Sequence, residues 1–387
     1  MKSDPHARPL RFVFVSGNRT WGGSEELWSA TAAELAADGH RVTVLKSYVQ
    51  PKEPRIQRLR ELGCRVRDLT RFPLIPRQLF SVIAILMWPF TFIHEAARLQ
   101  LGFVFSRRPD LIVISQGGNH DGWLLADVCR RMKLPYVVIS QKASEMYWPT
   151  DKRLRRLRGV YQWARACFFV SEHNMRLTEE QLGFALPNAS VVRNPFLVPW
   201  ERRSDWPDDR NGIRLACIGR LYPMEKGQDL LLRVLARDRW RERPLSVSFY
   251  GSGPHRAGLE EMARHLRLTS VSFAGFVRDV AAIWDDHHGL VLPSRCEGLP
   301  LVLVEAMLSG RVPIVTNVAG NGEIVENDVT GFLAAAATED AIDEALDRAW
   351  QRRAEWRSIG QHVAERIRTM VPENPARSMA DALLRLV

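Results

Sequence analysis

The sequence predicts an α/β protein of two domains, each built on a parallel sheet, facing one another across a cleft. Three observations carry this reading. Short apolar runs alternate with helical stretches along most of the chain, the pattern of parallel strands joined by crossover helices. The pattern runs once as far as Asn194 and Pro195, breaks, and restarts at Ile213. A chain of 387 residues, 46% of them apolar, is long enough to bury two cores. The expected division is a first domain over residues 1–198, a linker over 199–212 and a second domain over 213–370. A C-terminal segment, 371–387, follows the break at Pro372 and Pro375 and is placed to cross back onto the first domain.

In the first domain, residues 11–16 read as a short buried strand, followed by a loop ending in Gly22 and Gly23. Ser24 has the chemistry of an N-cap, with Glu25 and Glu26 in the first helical turn, where the helix dipole favours acids. That helix runs to about Asp38, stops at Gly39, and gives way to a strand over 41–45. This opening is Rossmann-like, yet its glycines do not form G-x-G-x-x-G, so an ordinary dinucleotide site is disfavoured. Gly22 and Gly23 let backbone approach a phosphate or a sugar; a plain tight turn is the alternative. Residues 52–77 are rich in Arg, and 80–93 is an apolar run broken by Pro89. Fourteen residues are too few for a bilayer, which needs about 20, so the run is a buried helix or an apolar face meeting a membrane interface.

Strands follow at 110–115, 135–140 and 167–171. Ligands of open α/β sheets sit beyond the carboxyl ends of the strands, which places the loop Gln116–Gly122, with His120 and Asp121, where chemistry is expected. The basic stretch 152–158, with Leu154 and Leu157 at helical spacing, is either a solvated helix face or a docking site for an anionic surface.

Composition narrows the function classes. Five scattered cysteines without a C-x-x-C pair argue for reduced thiols in a cytoplasmic setting and against a structural zinc. The first ten residues hold no apolar core, which argues against a signal peptide. The net charge of +10 is uneven: 29 Lys/Arg against 17 Asp/Glu through Pro195, giving +12, and 25 against 27 beyond it, giving −2. The first half is therefore expected to meet something anionic. No helix-turn-helix, RNP-like or zinc-finger pattern accompanies the charge, so nucleic acid is not the expected partner. A membrane surface or an acidic acceptor fits better.

The second half has strands at 213–218, 245–250, 271–274, 290–292 and 312–315. Arg220 follows the first of them and Lys226 stands before the next helix. A cation there opposes the helix dipole and is explained by an anion shared with Arg220. Two fixed cations on a diphosphate would stabilise charge developing on a departing nucleotide, and no metal would be needed. The run 285–288, Asp-Asp-His-His, looks like helix-end surface rather than a metal site. Gly251 lies in a second glycine turn, and Phe276 and Val277 offer an apolar plate to a base. Then comes S-R-C-E-G-L-P-L-V-L-V-E-A-M-L-S-G over 294–310, with Pro300 suited to a first helical turn. Gly298 leaves backbone uncovered at the positive end of that helix. Glu297 and Glu305, at E-x7-E, would stand roughly 12 Å apart on a continuous helix, about the length of a sugar diphosphate.

Taken in order, Gly219-Arg220…Lys226-Gly227, Gly251-Ser-Gly253, Gly275-Phe276-Val277, the Glu297–Glu305 segment and Gly320…Glu323 resemble family 4 glycosyltransferases. The likeness is specific over about 213–335 and looser before it. It implies the GT-B fold, two Rossmann-like domains with a cleft between them, and transfer of a sugar from a UDP- or GDP-type nucleotide-sugar with retention of configuration. It implies that Arg220 and Lys226 hold the diphosphate, that Glu297, with the backbone of Gly298 and Leu299, faces the sugar, and that Glu305 faces the ribose. Phe276 and Val277 would lie against the base, Gly22 and Gly23 against phosphate or sugar, and His120 near the reacting carbon. The expected enzyme needs no metal or other cofactor. Its partners are a nucleotide-sugar and a glycan or lipid-linked acceptor, with peripheral contact to an anionic membrane through the basic first domain. A nucleotide-sugar epimerase or hydrolase of the same fold, or a silent binding module, is the alternative.

Overall fold

A computed structural model describes residues 8–69, 108–202, 204–210 and 212–387. The apolar run 80–93, and the Arg-rich stretch from 70 onward, lie outside the described residues. The chain divides into two compact units, one of Met1–Pro195 with Asn374–Val387 and one of Phe196–Glu373.

The first unit is built on seven parallel strands: β1 (Arg11–Ser16), β2 (Arg41–Lys46), β3 (Arg65–Asp68), β4 (Leu111–Gln116), β5 (Tyr136–Ser140), β6 (Cys167–Phe169) and β7 (Ala189–Val191), in the order β3-β2-β1-β4-β5-β6-β7. Parallel strands covered on both faces read as continuous apolar runs, and alternate residues serve opposite faces. Phe12, Phe14, Val42, Val44, Leu111 and Val113 thus enter one core, and Val13, Val15, Ile112, Ile114 and Val138 the other. Helix Pro375–Leu384 adds Met379, Ala380 and Leu383 to the first of these cores and lies along helix Gly23–Ala37. Its Asn374 donates to Glu34 at 3.0 Å, and Arg377 pairs with Asp38 at 2.5 Å.

The second unit carries six parallel strands: β8 (Ile213–Ile218), β9 (Leu245–Tyr250), β10 (Val271–Gly275), β11 (Gly289–Leu292), β12 (Val312–Thr316) and β13 (Phe332–Ala334), in the order β10-β9-β8-β11-β12-β13. The stretch expected as a free linker is fastened to this unit. Arg311, 1% exposed, donates to the carbonyls of Trp284 and Asp205, each at 2.7 Å, and lies over the Trp206 ring. Arg202 reaches Asp285 and the Ala281 carbonyl, and Arg368 reaches the Trp200 carbonyl. Burial without a carboxylate contact pushes the Arg311 guanidinium down to about 10.

Two local expectations are corrected. Helix Gly23–Ala37 is capped by Gly22 rather than Ser24, whose hydroxyl instead accepts from the Asn18 amide. His287 and His288 are buried, not surface. The His287 Nδ1 bonds the Ile283 carbonyl and the His288 Nδ1 accepts from the Arg214 amide, so the run 285–288 fastens a helix end to β8.

Candidate functional site

In both sheets the strand order reverses once, between β1 and β4 and between β8 and β11. Such reversals open a crevice beyond the carboxyl ends of the strands, where ligands of open α/β sheets bind. Arg220, Glu297, Gly298 and Leu299 stand in the loops leaving β8 and β11, Lys226 ends the short helix after β8, and Glu305 lies within the helix after β11.

Lys226 ends the short helix Pro223–Lys226 after β8, and Glu297 lies in the loop after β11. Their side chains meet, Nζ to Oε1 at 2.6 Å, and the Ser294 hydroxyl donates to the same carboxylate at 2.7 Å. Lys226 thus ends one short helix and, separated only by the cap Gly227, stands directly before the next, Gln228–Leu235, as expected; in this structure the partner of its charge is Glu297. Glu297 is 5% exposed. The two loops are locked by their backbones: Arg295 and Cys296 donate to the Glu225 carbonyl at 2.8 and 3.1 Å. Gly227, at φ +63°, allows this approach, since a Cβ there would stand 1.9 Å from the Pro293 oxygen. Arg220 is exposed, its carbonyl accepts from Gln228, and its guanidinium forms no ion pair among the described residues.

The helix after β11 begins at Leu301, with Pro300 as its cap, so the segment from Glu297 is not helical and the rise expected from E-x7-E does not apply. Pro300 caps because its φ of −64° comes with an extended ψ of 128°. Among the described residues the amides of Gly298 and Leu299 donate to nothing, which leaves two N–H groups at the positive end of an eight-residue helix. Gly298 is buried, and its carbonyl accepts from Gly320. Glu305 is 1% exposed and accepts from the Leu197 amide at 2.9 Å, so it is committed to backbone rather than standing open. Gly251 likewise serves loop packing, since a Cβ there would meet the Gly219 carbonyl oxygen at 2.0 Å. Phe276 is 72% exposed, an apolar ring held in solvent beside Val277.

In the first unit, Gly22 and Gly23 leave β1 and His120 leaves the neighbouring β4. The amides of Gly22 and Gly23 donate to nothing among the described residues, and Glu25 donates its amide to the Gly22 carbonyl. Gly117 abuts Asn18 of the β1 loop, so the two loops touch. Asp121 shapes the His120 loop by accepting from the Gly118 amide at 2.6 Å, and Gln116 donates to the Asp121 carbonyl. His120 lines a small pocket with Asn119, Pro149, Leu157 and Tyr161. Burial pushes its imidazole below the ordinary value, Asp121 acts against this, and Arg153 and Lys142 add to it.

Against the loop after β1 lies a pair that sequence reading missed. Glu25, fully buried, faces Lys46 at 3.0 Å and accepts from Ser16, Asn18 and Trp28. Lys46 also donates to the Asn18 carbonyl at 2.6 Å. The one available signal was a lysine directly after the apolar run of β2.

Comparison with known proteins follows this division. The first unit matches the family model described as glycosyl transferase 4-like domain over residues 22–195, and the second matches glycosyl transferases group 1 over 212–352. The chain is 29% identical, over 58% of its length and 63% of the relative's, to a GDP-mannose-dependent α-(1-6)-phosphatidylinositol monomannoside mannosyltransferase of Mycolicibacterium smegmatis. It is 31% identical, over 41% of its length and 42% of the relative's, to a D-inositol 3-phosphate glycosyltransferase of Frankia alni. These matches span less than two thirds of either relative. Among solved structures, HepE of Anabaena in complex with UDP and glucose superposes with a TM-score of 0.74 at 16% identity, over 97% of this chain and 99% of that one. Sucrose-phosphate synthase of Thermosynechococcus elongatus gives 0.73 at 19% identity, over 97% and 99%. With a glycosyltransferase domain on each of its two parallel sheets, the chain belongs to the glycosyltransferases of GT-B fold.

Proposed function

We propose that this chain is a retaining, metal-independent glycosyltransferase that moves a sugar from a UDP- or GDP-type nucleotide-sugar to a hydroxyl of a lipid-linked or cell-envelope acceptor, at the cytoplasmic face of a membrane. The observation that carries the reading is the Lys226–Glu297 pair at the strand-order reversal of the second sheet, with Arg220 beside it on the same β8 loop. The pair suits sugar hydroxyls on its carboxylate side and a diphosphate on its ammonium side. Arg220 and Lys226 are the fixed cations that would take the charge of the departing nucleoside diphosphate, a role metal ions fill elsewhere. The free amides of Gly298 and Leu299 extend that anion site.

The step moves one bond and one proton. The acceptor oxygen bonds the anomeric carbon on the face from which the diphosphate leaves, the carbon–oxygen bond to phosphate breaks, and the acceptor proton passes to the leaving phosphate oxygen. Configuration is retained. The lipid-linked acceptor is supported by the basic first domain and by the likeness to a phosphatidylinositol monomannoside mannosyltransferase.

The test is a coupled nucleotide-release assay with a lipid acceptor in EDTA, followed by NMR of the product's anomeric linkage. Retained configuration with EDTA-insensitive turnover is expected. Equal nucleotide release without acceptor would make the chain a nucleotide-sugar hydrolase, and inversion would refute the mechanism.

A further inference from the structure

We propose that the helix Asp151–Trp163 and the turn before it form an interfacial docking face for an anionic lipid surface. Six large hydrophobic side chains stand exposed in the described part of the first unit, and four flank this helix: Met146, Tyr147 and Trp148 before it, and Trp163 at its end. Trp148 and Trp163 are 59% and 58% exposed. Between them the helix carries Lys152, Arg153, Arg155, Arg156 and Arg158 against Asp151, five charges minus one, giving +4.

The helical period places these groups together. Leu157, Val160, Tyr161 and Ala164 are buried and define the inward side. At about 100° per residue, Lys152, Arg155 and Trp163 fall within roughly 60° of the opposite direction. Arg153, Arg155 and Arg156 pair with no carboxylate among the described residues, whereas Arg130 and Arg131 on the adjacent helix Trp123–Arg131 are both taken by Asp127. A solvated basic face has no use for two tryptophans more than half exposed. Nucleic acid would be met by the cations but gives no reason for Met146 beside them. An anionic bilayer answers both: its headgroups attract Lys and Arg, and tryptophan settles at the apolar–polar boundary.

The face also adjoins the proposed reaction end of this unit. Pro149, next to Trp148, and Leu157 line the pocket that holds His120. Docking would therefore set the His120 loop near headgroup level, where the sugar of a lipid-linked acceptor would be presented. In this the inference deepens the reading of a lipid-linked acceptor, but its test involves no turnover and stands or falls separately from the transferase chemistry.

The experiment is co-flotation of the full chain with phosphatidylcholine vesicles, with and without phosphatidylglycerol, at low and high salt. Wild type should float only with phosphatidylglycerol and less so in salt. Each cation near such a surface is worth about fivefold in partition, so Lys152→Ala with Arg155→Ala should weaken it roughly 25-fold. Trp148→Ser with Trp163→Ser should lower the partition that survives high salt. All four side chains are surface groups, and an unchanged thermal melt controls for folding. Vesicle binding that the cation variant leaves unaltered would overturn the proposal, as would a wild type that ignores vesicles or prefers single-stranded DNA.

Discussion

Replacing Arg295 with methionine would probe what holds the nucleotide-sugar loops in register. Arg295 forks onto Asp229, Nη1 to Oδ1 at 2.7 Å and Nη2 to Oδ2 at 2.9 Å, and also donates to the Pro223 carbonyl at 2.7 Å. Its main chain bonds Glu225, so one residue ties the loop of Glu297 to the helix that ends in Lys226. Methionine keeps the apolar stem and removes the fork. Hydrogen bonds to charged groups contribute about 1.5–3 kcal/mol each when fully buried. The pair is 26% and 17% exposed, and Arg233 remains within 3.1 Å of Asp229, so a net loss of about 2 kcal/mol is expected. Urea unfolding at neutral pH measures it. Burial raises the Asp229 carboxyl, but Arg295 and Arg233 outweigh this and hold it below the ordinary value. A depressed carboxyl stabilises the fold above its unfolded pKa and loses that contribution as pH falls through the folded one. The gap between wild type and variant should therefore narrow toward acid. A gap that stays constant with pH would assign the loss to packing, and no loss at all would refute the role given to the fork.

Two further outcomes are expected. Lys46→Met should destabilise the first unit by about 3–5 kcal/mol, because it leaves the Glu25 carboxylate buried without its cation; differential scanning calorimetry would show it, and Lys46→Met with Glu25→Gln should recover part of the loss. His288, held neutral by burial that pushes its pKa down to about 4, takes up a proton in the unfolded chain near pH 6.5. Stability should thus fall as pH drops from about 6.5 toward 4, and His288→Asn, which preserves an acceptor for the Arg214 amide, should flatten that limb in urea titrations.

How much of this was legible depends on burial. The central strands stood out because both faces are covered, so β1 and β4 carry unbroken apolar runs, and β8 does so after Arg214. The edge strand β3, R-V-R-D, and the three-residue strands β7 and β13 carry no such pattern, and alternation cannot reveal a strand that short. Lys226 and Glu297 were each legible from local loop chemistry, but their pairing across 71 residues is made by the adjacency of β8 and β11. Glu25 was legible as an acid of the first helical turn, but the lysine that pairs with it comes from the next strand and was not. Asp285 to His288 looked like surface because four polar residues in a row hide the turn that buries the last two.

The central claim, a diphosphate held by Arg220 and Lys226 without metal, is tested most directly by calorimetric titration of UDP and GDP, and of UMP and GMP, in EDTA. Arg220→Ala is the variant of choice, since that guanidinium is exposed and forms no ion pair among the described residues. One diphosphate should bind at micromolar concentration, and that binding should survive EDTA. Arg220→Ala should weaken the diphosphate by about 10- to 100-fold, as for a lost charge-assisted hydrogen bond, while the monophosphate changes little. Binding that EDTA abolishes, or a variant that binds the diphosphate as wild type does, would contradict it.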